Sequence, residues 1–276
     1  HQVNTLIGTK GTGLTSGYLY PGATYPYGMV QFTPSYFSKR SGFVINQLSG
    51  GGCEHMGNFP TFPVKGKLKM SPDNILNYRI NVSEEKGHAG YYEAKVQEDI
   101  HAKLTVTERT GMASYEYPAD QQYGTVIIGG GISATPIEQA AIVITAPNKC
   151  EGYAEGGNFC GLRTPYKVYF VAEFDTDALE SGTWKRNELK PNTTFAEGEY
   201  SGVYFTFDVD KKKNVGDAYR GIGIAKWEKK DYKGARKAFK KALENDAEKT
   251  GTIYNMIGNC DLKLGEAKEA LNYYNL

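Results

Sequence analysis

The segment Gly202-Val-Tyr-Phe-Thr-Phe-Asp-Val-Asp-Lys-Lys-Lys-Asn-Val215 contains the point at which the chain changes character. In its first half Val203, Phe205, Phe207 and Val209 alternate with the intervening residues, which is typical of a β-strand with one apolar face. Its second half is a run of lysines that leads into a Lys- and Ala-rich region. The segment therefore predicts a strand that is followed by a domain of a different class.

This junction predicts two domains, residues 1–213 and residues 214–276. Upstream of it, the stretches 102–108 and 166–174 also alternate with period two, and clusters of Gly, Pro, Asn and Asp separate such runs. No convincing amphipathic helix precedes the junction. Many strands with short, turn-bearing connections favour a β-sandwich of two packed antiparallel sheets for the first domain.

The second domain shows apolar residues at helical spacing and an internal repeat of 35 residues. The helical stripe and the matched pairs are Ala235, Ala238, Phe239, Ala242 and Leu243, and Gly223 with Gly258, Ala235 with Ala270, and Phe239 with Tyr274. This pattern resembles tetratricopeptide repeats, with about two units of which the second is incomplete. It predicts a small all-α helical-hairpin domain, and an ordinary helical hairpin that covers a sheet face is the alternative.

Composition excludes some classes of partner. Hydrophobic residues make up 40% of the 276 residues and charged residues 23%, and no apolar run has the length of a membrane span. Residues 211–276 carry 15 Lys+Arg against 9 Asp+Glu, a net charge of +6, which leaves −5 for the rest of the chain. Neither value indicates a nucleic-acid partner, and the basic helical part is interpreted as a solvated face.

The four cysteines, Cys53, Cys150, Cys160 and Cys260, do not have the spacing of a zinc site, so no metal ligand is assigned to them. Cys150 and Cys160 flank a Gly-rich segment. They are expected to form a disulfide in an oxidising compartment or to be two free buried thiols, and the sequence does not choose between these states.

Two Gly-rich segments carry the functional interest, residues 17–30 and 48–57. Consecutive glycines cost backbone entropy, which favours a close approach of the backbone to something else. Cys53, Glu54 and His55 follow the second glycine run directly. Because consecutive side chains rarely converge on one substrate atom, a tight turn that packs or binds a ligand is preferred to a catalytic dyad, and no catalytic residue is assigned.

Six segments occur in an order that resembles the N-terminal domain of glycoside hydrolase family 92, the calcium-dependent exo-acting α-mannosidases. They are Val3-Asn-Thr-Leu-Ile-Gly-Thr9, Tyr20-Pro-Gly-Ala-Thr-Tyr-Pro-Tyr-Gly-Met-Val-Gln-Phe32, Leu48-Ser-Gly-Gly-Gly-Cys53, Gly87-His-Ala-Gly-Tyr-Tyr92, Leu104-Thr-Val-Thr-Glu-Arg109 and Val168-Tyr-Phe-Val-Ala-Glu-Phe174. The resemblance covers residues 3 to about 213 and ends at the junction.

The resemblance implies a β-sandwich followed by a large helical catalytic domain, and hydrolysis of terminal α-mannosides with inversion. It also implies that the acid, the base and the Ca²⁺ ligands lie mainly on that helical domain, and that the N-terminal domain contributes to the sugar pocket. Carried over, Tyr20, Gly52 and Cys53 are the expected α-mannoside contacts, with Glu54 and His55 as neighbours. An aromatic face can stack on the C–H face of a sugar, which fits this role for Tyr20.

The chain departs from the family pattern after the junction, because residues 216–276 are too few for a six-hairpin helical barrel. The first hypothesis is therefore the glycan-contacting part of an α-mannosidase-like hydrolase that is inactive alone because the catalytic domain is absent. The alternative is a non-catalytic carbohydrate-binding or assembly protein whose repeats recruit a protein partner. A third reading is that the junction joins segments that are not neighbours in a natural protein.

Cofactor and compartment follow from the resemblance alone. Ca²⁺ is expected for the complete family enzyme, and none is assured for this chain. The expected location is outside the cytoplasm of a bacterium, in the periplasm or at the cell surface.

Overall fold

The computed structural model of the chain describes residues 4–9, 19–34, 42–47, 56–72, 82–131, 133, 135–245 and 250–276, without the side chains of residues 211–214, 217 and 250. The chain divides into two compact units, His1–Asp208 and Val209–Leu276. The division falls a few residues before the boundary at residue 213 that the change in composition predicts.

Sixteen strands are described in the first unit. They are β1 Ala23–Thr24, β2 Gln31–Pro34, β3 Phe43–Val44, β4 Thr61–Lys65, β5 Val82–His88, β6 Tyr91–Val96, β7 Ile100–Val106, β8 Gly111–Glu116, β9 Tyr123–Gly129, β10 Ile137–Ala146, β11 Lys149–Phe159, β12 Leu162–Glu173, β13 Glu180–Lys185, β14 Glu188–Pro191, β15 Phe195–Glu197 and β16 Ser201–Asp208.

These strands form three sheets where the sequence predicts two. An eight-stranded sheet has the order β1-β2-β3-β4-β9-β16-β13-β14, a four-stranded "hairpin sheet" has the order β12-β11-β10-β15, and a four-stranded "meander sheet" has the order β5-β6-β7-β8. The pairings between these strands are antiparallel, as predicted. The third sheet arises because the short connections along 82–116 pair each of these strands with its successor and with no other described strand.

Aromatic side chains pack both four-stranded sheets onto the eight-stranded one. Phe174, directly after β12, lies 4.9 Å from the rings of both Phe205 and Phe207 on β16. Phe43 on β3 contacts Tyr92 of β6 and Tyr115 of β8, with ring centroids 6.5 and 6.1 Å apart. Burial of these rings is the main favourable term that holds the sheets together, and the result is a sandwich-like arrangement.

The strands that the sequence predicts are present, with one difference in burial. In β7 Ala102 and Leu104 face the core and Lys103 between them does not, as the alternation predicts. In β16, by contrast, Tyr204 and Thr206 on the second face are as buried as Val203 and Phe205 on the first. The prediction of a single buried face is wrong there, because β16 lies in the middle of the eight-stranded sheet between β9 and β13.

The second unit is helical. Its described helices are α1 Lys211–Glu228, α2 Tyr232–Glu244, α3 Thr250–Lys263 and α4 Ala267–Tyr274. Their buried core consists of Ala235, Phe239, Ala242, Ile253, Ile257 and Cys260. The side chain of Asp231 accepts a hydrogen bond from Gly234 N at 2.9 Å and so caps the start of α2. Small residues on one helix pack against large residues on the next, which explains why neighbouring helices approach closely.

Equivalent contacts recur 35 residues apart in this unit. A Cβ at Gly223 of α1 would lie 2.5 Å from the ring of Phe239 on α2, and one at Gly258 of α3 would lie 2.6 Å from Tyr274 on α4. These are two of the residue pairs that the internal repeat matches. The structure therefore contains two helical hairpins with the same glycine–aromatic contact, and their assignment as tetratricopeptide repeats stays a prediction.

No helix among the described residues combines the length and the apolar composition that a membrane crossing requires.

Candidate functional site

A tight turn before β2 exposes aromatic and apolar side chains. Gly28 N donates a hydrogen bond to Tyr25 O at 2.9 Å, with Pro26 and Tyr27 at the two central positions. Tyr27 has φ 59° and is fully exposed. Proline followed by a residue with positive φ is the arrangement of a type II turn, in which glycine or asparagine usually holds the place of Tyr27. The turn thus holds a tyrosine in a conformation that costs an L-residue free energy, with its ring in solvent.

Segments that are far apart in sequence fix the position of this turn. Met29 N donates to Glu108 O at 2.7 Å. Gly87 lies against Thr5 and Pro21 so closely that a Cβ there would collide with the Thr5 hydroxyl. These contacts bring together four of the six segments on which the family resemblance rests. The segments therefore share one place in the fold as well as an order along the chain.

The two ends of the second Gly-rich segment, residues 48–57, are tied together by side-chain amides. Asn46 Nδ2 donates to Asn58 Oδ1 at 2.9 Å, and Asn58 N donates to Asn46 Oδ1 at 2.7 Å. Tyr166 adds a hydrogen bond from its hydroxyl to Asn58 Oδ1 at 3.0 Å. Gln31 of β2 pairs with Asn46 through an isolated bridge, which places this amide pair beside the strand that follows the exposed turn.

The exit from the same segment is anchored in the core. Phe59 is buried against Phe170 of β12, with ring centroids 4.1 Å apart, and it has φ 52°. Met56 and Gly57 also have positive φ values, of 48° and 73°. Such a run costs free energy at the two non-glycine residues, and burial of the Phe59 ring offsets part of it. Burial of the Phe59 ring thus fixes the backbone conformation of residues 56–59.

Several buried polar atoms around these loops have no hydrogen-bond partner among the described residues. They are Thr5 Oγ1, Gln31 Oε1, both amide atoms of Gln47 and Asn58 Nδ2. Buried polar groups in native proteins are normally bonded, so a cluster of unpaired ones calls for an ordered water, a ligand or a covering polar surface. The described residues alone therefore do not account for the hydrogen bonding of these atoms.

The structure places only part of the predicted contact set. Tyr20 is half-buried, its hydroxyl oxygen is inaccessible to solvent, and the buried Pro21 follows it. Gly52, Cys53, Glu54 and His55 lie outside the described residues. Their role as α-mannoside contacts, and that of Tyr20, stays a prediction.

The cysteine prediction is wrong in both of its forms. Cys150 is buried with a free thiol, and burial raises the pKa of that thiol to about 12. Cys160 is disulfide-bonded and exposed. A disulfide between the two is excluded because they lie at opposite ends of the strand β11. Ten residues of extended chain span roughly 33 Å, far more than a disulfide allows.

The hairpin between β5 and β6 contributes polar groups whose pKa values move away from neutrality. Tyr91 donates its hydroxyl to Glu93 at 2.7 Å, and this hydrogen bond raises the pKa of Tyr91 to about 12. The same bond is the main reason that the pKa of Glu93 is lowered. His88 stacks on Tyr91 with ring centroids 4.9 Å apart. A neutral phenol and a charged carboxylate suit hydrogen bonding and orientation rather than proton transfer at neutral pH.

The described residues do not fit the Ca²⁺ that the resemblance implies. Among them, no group of three or more His, Cys, Asp or Glu side chains could hold a metal ion. No chemical step is therefore assigned to calcium on this chain.

Sequence reasoning missed Tyr27 and the Asn46–Asn58 pair. The sequence Tyr25-Pro-Tyr-Gly28 contains a turn signal, but the positive φ of its tyrosine is visible only in the structure. The asparagines flank the Gly-rich segment 12 residues apart, and nothing in a single sequence indicates that they bond to each other.

Comparison with known proteins agrees with this geometry. A family model described as the glycosyl hydrolase family 92 N-terminal domain matches residues 2–216. An uncharacterized secreted glycosidase of Arthroderma benhamiae is 31% identical over 136 residues, which are 42% of this chain and 17% of that protein. The chain thus spans about a sixth of that relative's length.

Three solved structures share the fold. A family GH92 alpha-mannosidase from Bacteroides thetaiotaomicron matches with a TM-score of 0.63 and 24% identity, over 75% of this chain and 31% of that one. An inverting family GH92 mannosidase from the same species gives 0.63 and 24%, over 75% and 29%. The GH92 glycosyl hydrolase ccman5 gives 0.65 and 22%, over 75% and 30%. The match of the family model to most of the chain establishes that this protein belongs to glycosyl hydrolase family 92 and contains its N-terminal domain.

Proposed function

We propose that residues 1–213 are the glycan-contacting N-terminal part of an α-mannosidase-like glycoside hydrolase. The observation that carries this proposal is the convergence of family segments on one exposed turn: Thr5 and Pro21 against Gly87, and Met29 bonded to Glu108. Tyr27 lies at this turn with positive φ and its ring in solvent, so its aromatic face is available to a bound molecule. The solved structures of related mannosidases, one of them in complex with mannoimidazole, support a mannoside as the substrate class.

In this proposal the domain supplies binding rather than chemistry. Tyr20, Gly52 and Cys53 contact the sugar, with Glu54 and His55 beside them, and Tyr27 offers a second aromatic face. The Gln31 side-chain oxygen and both amide atoms of Gln47, which have no partner among the described residues, supply hydrogen bonds to hydroxyl groups or to the domain that covers them.

Hydrolysis belongs to the complete family enzyme. The general acid, the general base and the Ca²⁺ requirement are assigned to a helical catalytic domain, and this chain by itself is expected to bind an α-mannoside without turnover.

A second candidate function is a non-catalytic carbohydrate-binding or assembly protein in which residues 216–276 recruit a protein partner as tetratricopeptide-like repeats. The equivalent contacts of Gly223 with Phe239 and of Gly258 with Tyr274 favour it. Glycine opposite a large ring at a fixed period lets successive helical hairpins pack closely, as in repeat proteins.

We further propose that the protein is exported, to the periplasm or the surface of a bacterial cell. The disulfide bond of Cys160 supports an oxidising compartment, and a relative is described as secreted.

The test is a binding measurement paired with an activity assay. The full chain should bind a mannose-rich glycan in calorimetry, and Tyr20→Ala and Tyr27→Ala should each weaken binding. Leu179→Ala, an exposed residue outside the loops, is the matched control and should have no effect. Unchanged affinity in both tyrosine variants would contradict the proposal. Release of an aryl group from an aryl α-mannoside with Ca²⁺ present, abolished by EDTA, would show instead that the chain is catalytic by itself.

A further inference from the structure

The hairpin sheet has one face in the core and one face in solvent, and the solvent face is aromatic. Phe170, Ile142 and Ala154 point inward. On the opposite side, Tyr169 is 69% exposed and Phe195 is 55% exposed. Folding places apolar side chains on the inner face of a sheet, so their presence on the outer face needs a separate reason.

The register brings these outer side chains into two neighbouring rows. In one row Tyr169 lies opposite Tyr153, which lies opposite Ala141. In the next row the side chains are, in order across the sheet, Val171, Glu151, Val143 and Phe195. The Tyr153 and Tyr169 rings are 6.0 Å apart and inclined at 47°. We call the set Tyr153, Tyr169, Val171 and Phe195 the outer aromatic face.

A shallow cavity of about 440 Å³ lies over this face. The residues that line it include Ala141, Val143, Tyr153, Tyr169 and Phe195. This volume lies within the range of small-molecule sites, roughly 300–1,000 Å³. The volume over this face is thus sufficient for a small ligand.

Charged groups are interleaved with the rings. Lys167 Nζ lies 4.0 Å from the centroid of Tyr153 and is bonded to Glu155 at 2.6 Å. Glu151 and Glu197 are exposed on the same face, and neither has an ion-pair partner among the residues that the structure describes. The face therefore combines aromatic surfaces with free hydrogen-bond acceptors.

This combination favours a sugar over a protein as the ligand. The buried centre of a protein interface is depleted of charged residues, whereas Glu151 lines this cavity, Glu155 and Lys167 pair beside Tyr153, and Glu197 lies opposite Ala141. A pyranose presents an apolar C–H face to an aromatic ring and hydroxyl groups to carboxylates at its rim. Aromatic rings and carboxylates lie on neighbouring strands of this sheet, and neighbouring strands are about 4.8 Å apart.

We propose that the outer aromatic face is an ancillary binding site for a neutral hexopyranose glycan, separate from the loops around Tyr27. It would hold a polysaccharide chain on the domain without taking part in its cleavage. Only the choice of mannan as the first probe rests on the function proposed above.

Native affinity electrophoresis of the full chain in gels containing yeast mannan, or laminarin as a glucan, tests this site. Retardation by at least one polysaccharide is expected, and Tyr169→Ala should raise the apparent dissociation constant about fivefold, the scale of one lost aromatic contact. Leu162→Ala, exposed on the same strand but outside the cavity, is the matched control and should bind as the original chain does. Phe195→Ala, on a different strand, is a second variant in case Tyr169→Ala fails to fold.

The outcomes separate this proposal from the previous one. Weakening in Tyr169→Ala or Phe195→Ala with Leu162→Ala unchanged supports the ancillary site, whatever Tyr20→Ala does. Retardation that is lost in Tyr20→Ala but kept in Tyr169→Ala and Phe195→Ala overturns it and leaves the loop site intact. No retardation by either polysaccharide also overturns it, and a dimer in sedimentation velocity that Tyr169→Ala dissociates would reassign the face to self-association.

Discussion

Asn46 and Asn58 hold each other by two hydrogen bonds, one from the Asn46 amide to the Asn58 side chain at 2.9 Å and one from the Asn58 backbone to the Asn46 side chain at 2.7 Å. The pair closes the base of the Gly-rich segment that lies between them in the sequence. It also joins that segment to β2 through Gln31 and to β12 through Tyr166. Two side-chain amides thus relate β2, the second Gly-rich segment and the hairpin sheet.

Asn46→Ala removes both bonds of this pair and leaves the buried Asn58 without its main partner. We expect a loss of about 2 kcal/mol in the free energy of unfolding, since a buried polar group left unpaired costs about 1–3 kcal/mol. Guanidinium denaturation followed by near-UV circular dichroism measures it. We also expect weaker binding of a mannose-rich glycan in calorimetry, because the base of the segment is no longer fixed.

Tyr166→Phe is the control for this experiment, because it removes only the bond from the Tyr166 hydroxyl to Asn58 Oδ1. It should cost about 1 kcal/mol, the typical value for one neutral hydrogen bond. If Tyr166→Phe proves as damaging as Asn46→Ala, the amide pair is not the element that holds the segment.

Tyr27→Gly should stabilise the protein and weaken its function. Glycine adopts positive φ without the clash that costs an L-residue about 1–2 kcal/mol, while its larger entropy in the unfolded chain reduces the gain to about 0.5–1 kcal/mol. The fully exposed ring has no packing to lose. Thermal unfolding should therefore shift upward while glycan affinity falls.

Tyr27→Asn separates the two effects, because asparagine tolerates this backbone conformation but has no aromatic face. It should lose affinity as Tyr27→Gly does, with a smaller gain in stability. Full affinity in both variants would remove the ring from the proposed site.

How far the sequence predicts the fold can be seen at Tyr166–Phe174 and at Ser201–Asp208. The alternation along the first places Phe170 inward and Tyr169 outward, as found. The same alternation along Ser201–Asp208 does not predict that both faces of this strand are buried. Burial there depends on which strands are its neighbours in the sheet. Periodicity reports the conformation of a strand, and neighbours distant in sequence decide its environment.

The candidate site shows the same limit. The order of the family segments could be read from the sequence, and the structure adds that Gly87 meets Pro21 and that Glu108 holds Met29. The pairing of Asn46 with Asn58 depends on tertiary contacts that carry no local signal. The disulfide prediction failed because the single strand β11 runs from Cys150 to Phe159 without a turn and so holds Cys160 far from Cys150.

The chemistry of the cysteines should follow their burial. Below about pH 9 iodoacetamide should leave Cys150 and Cys260 unmodified in the folded chain, and peptide mapping should find both of them labelled in guanidinium. Burial raises the pKa of Cys150 from its ordinary value of 9.0 to about 12, so the unfolded chain releases this proton at lower pH than the folded chain does. Stability contributed by the neutral thiol is therefore complete below pH 9 and falls as the pH rises towards 12.

Cys160 provides the internal comparison in that experiment. It is exposed but disulfide-bonded, so its peptide should stay unlabelled in guanidinium until a reductant is added. Labelling of Cys160 before reduction would show that the bond is not formed in solution, and it would remove the main support for an exported location.

The glycine–aromatic contacts of the helical unit can be tested by alanine at neighbouring positions of one helix. Gly223→Ala places a methyl group 2.5 Å from the ring of Phe239, so the helices must separate, at a cost of about 1–3 kcal/mol. Gly221→Ala, two residues away with nothing within 4 Å, should stabilise α1 by up to about 1 kcal/mol through helix propensity.

The second hairpin offers the same comparison. Gly258→Ala should be destabilising, because its methyl group would meet the ring of Tyr274, and Gly251→Ala, which has nothing within 4 Å, should be stabilising. Far-UV circular dichroism during thermal unfolding measures all four variants. If Gly223→Ala and Gly258→Ala stabilise the helices as much as their partners do, the two hairpins are not packed through these glycines, and the case for a repeat of 35 residues fails with them.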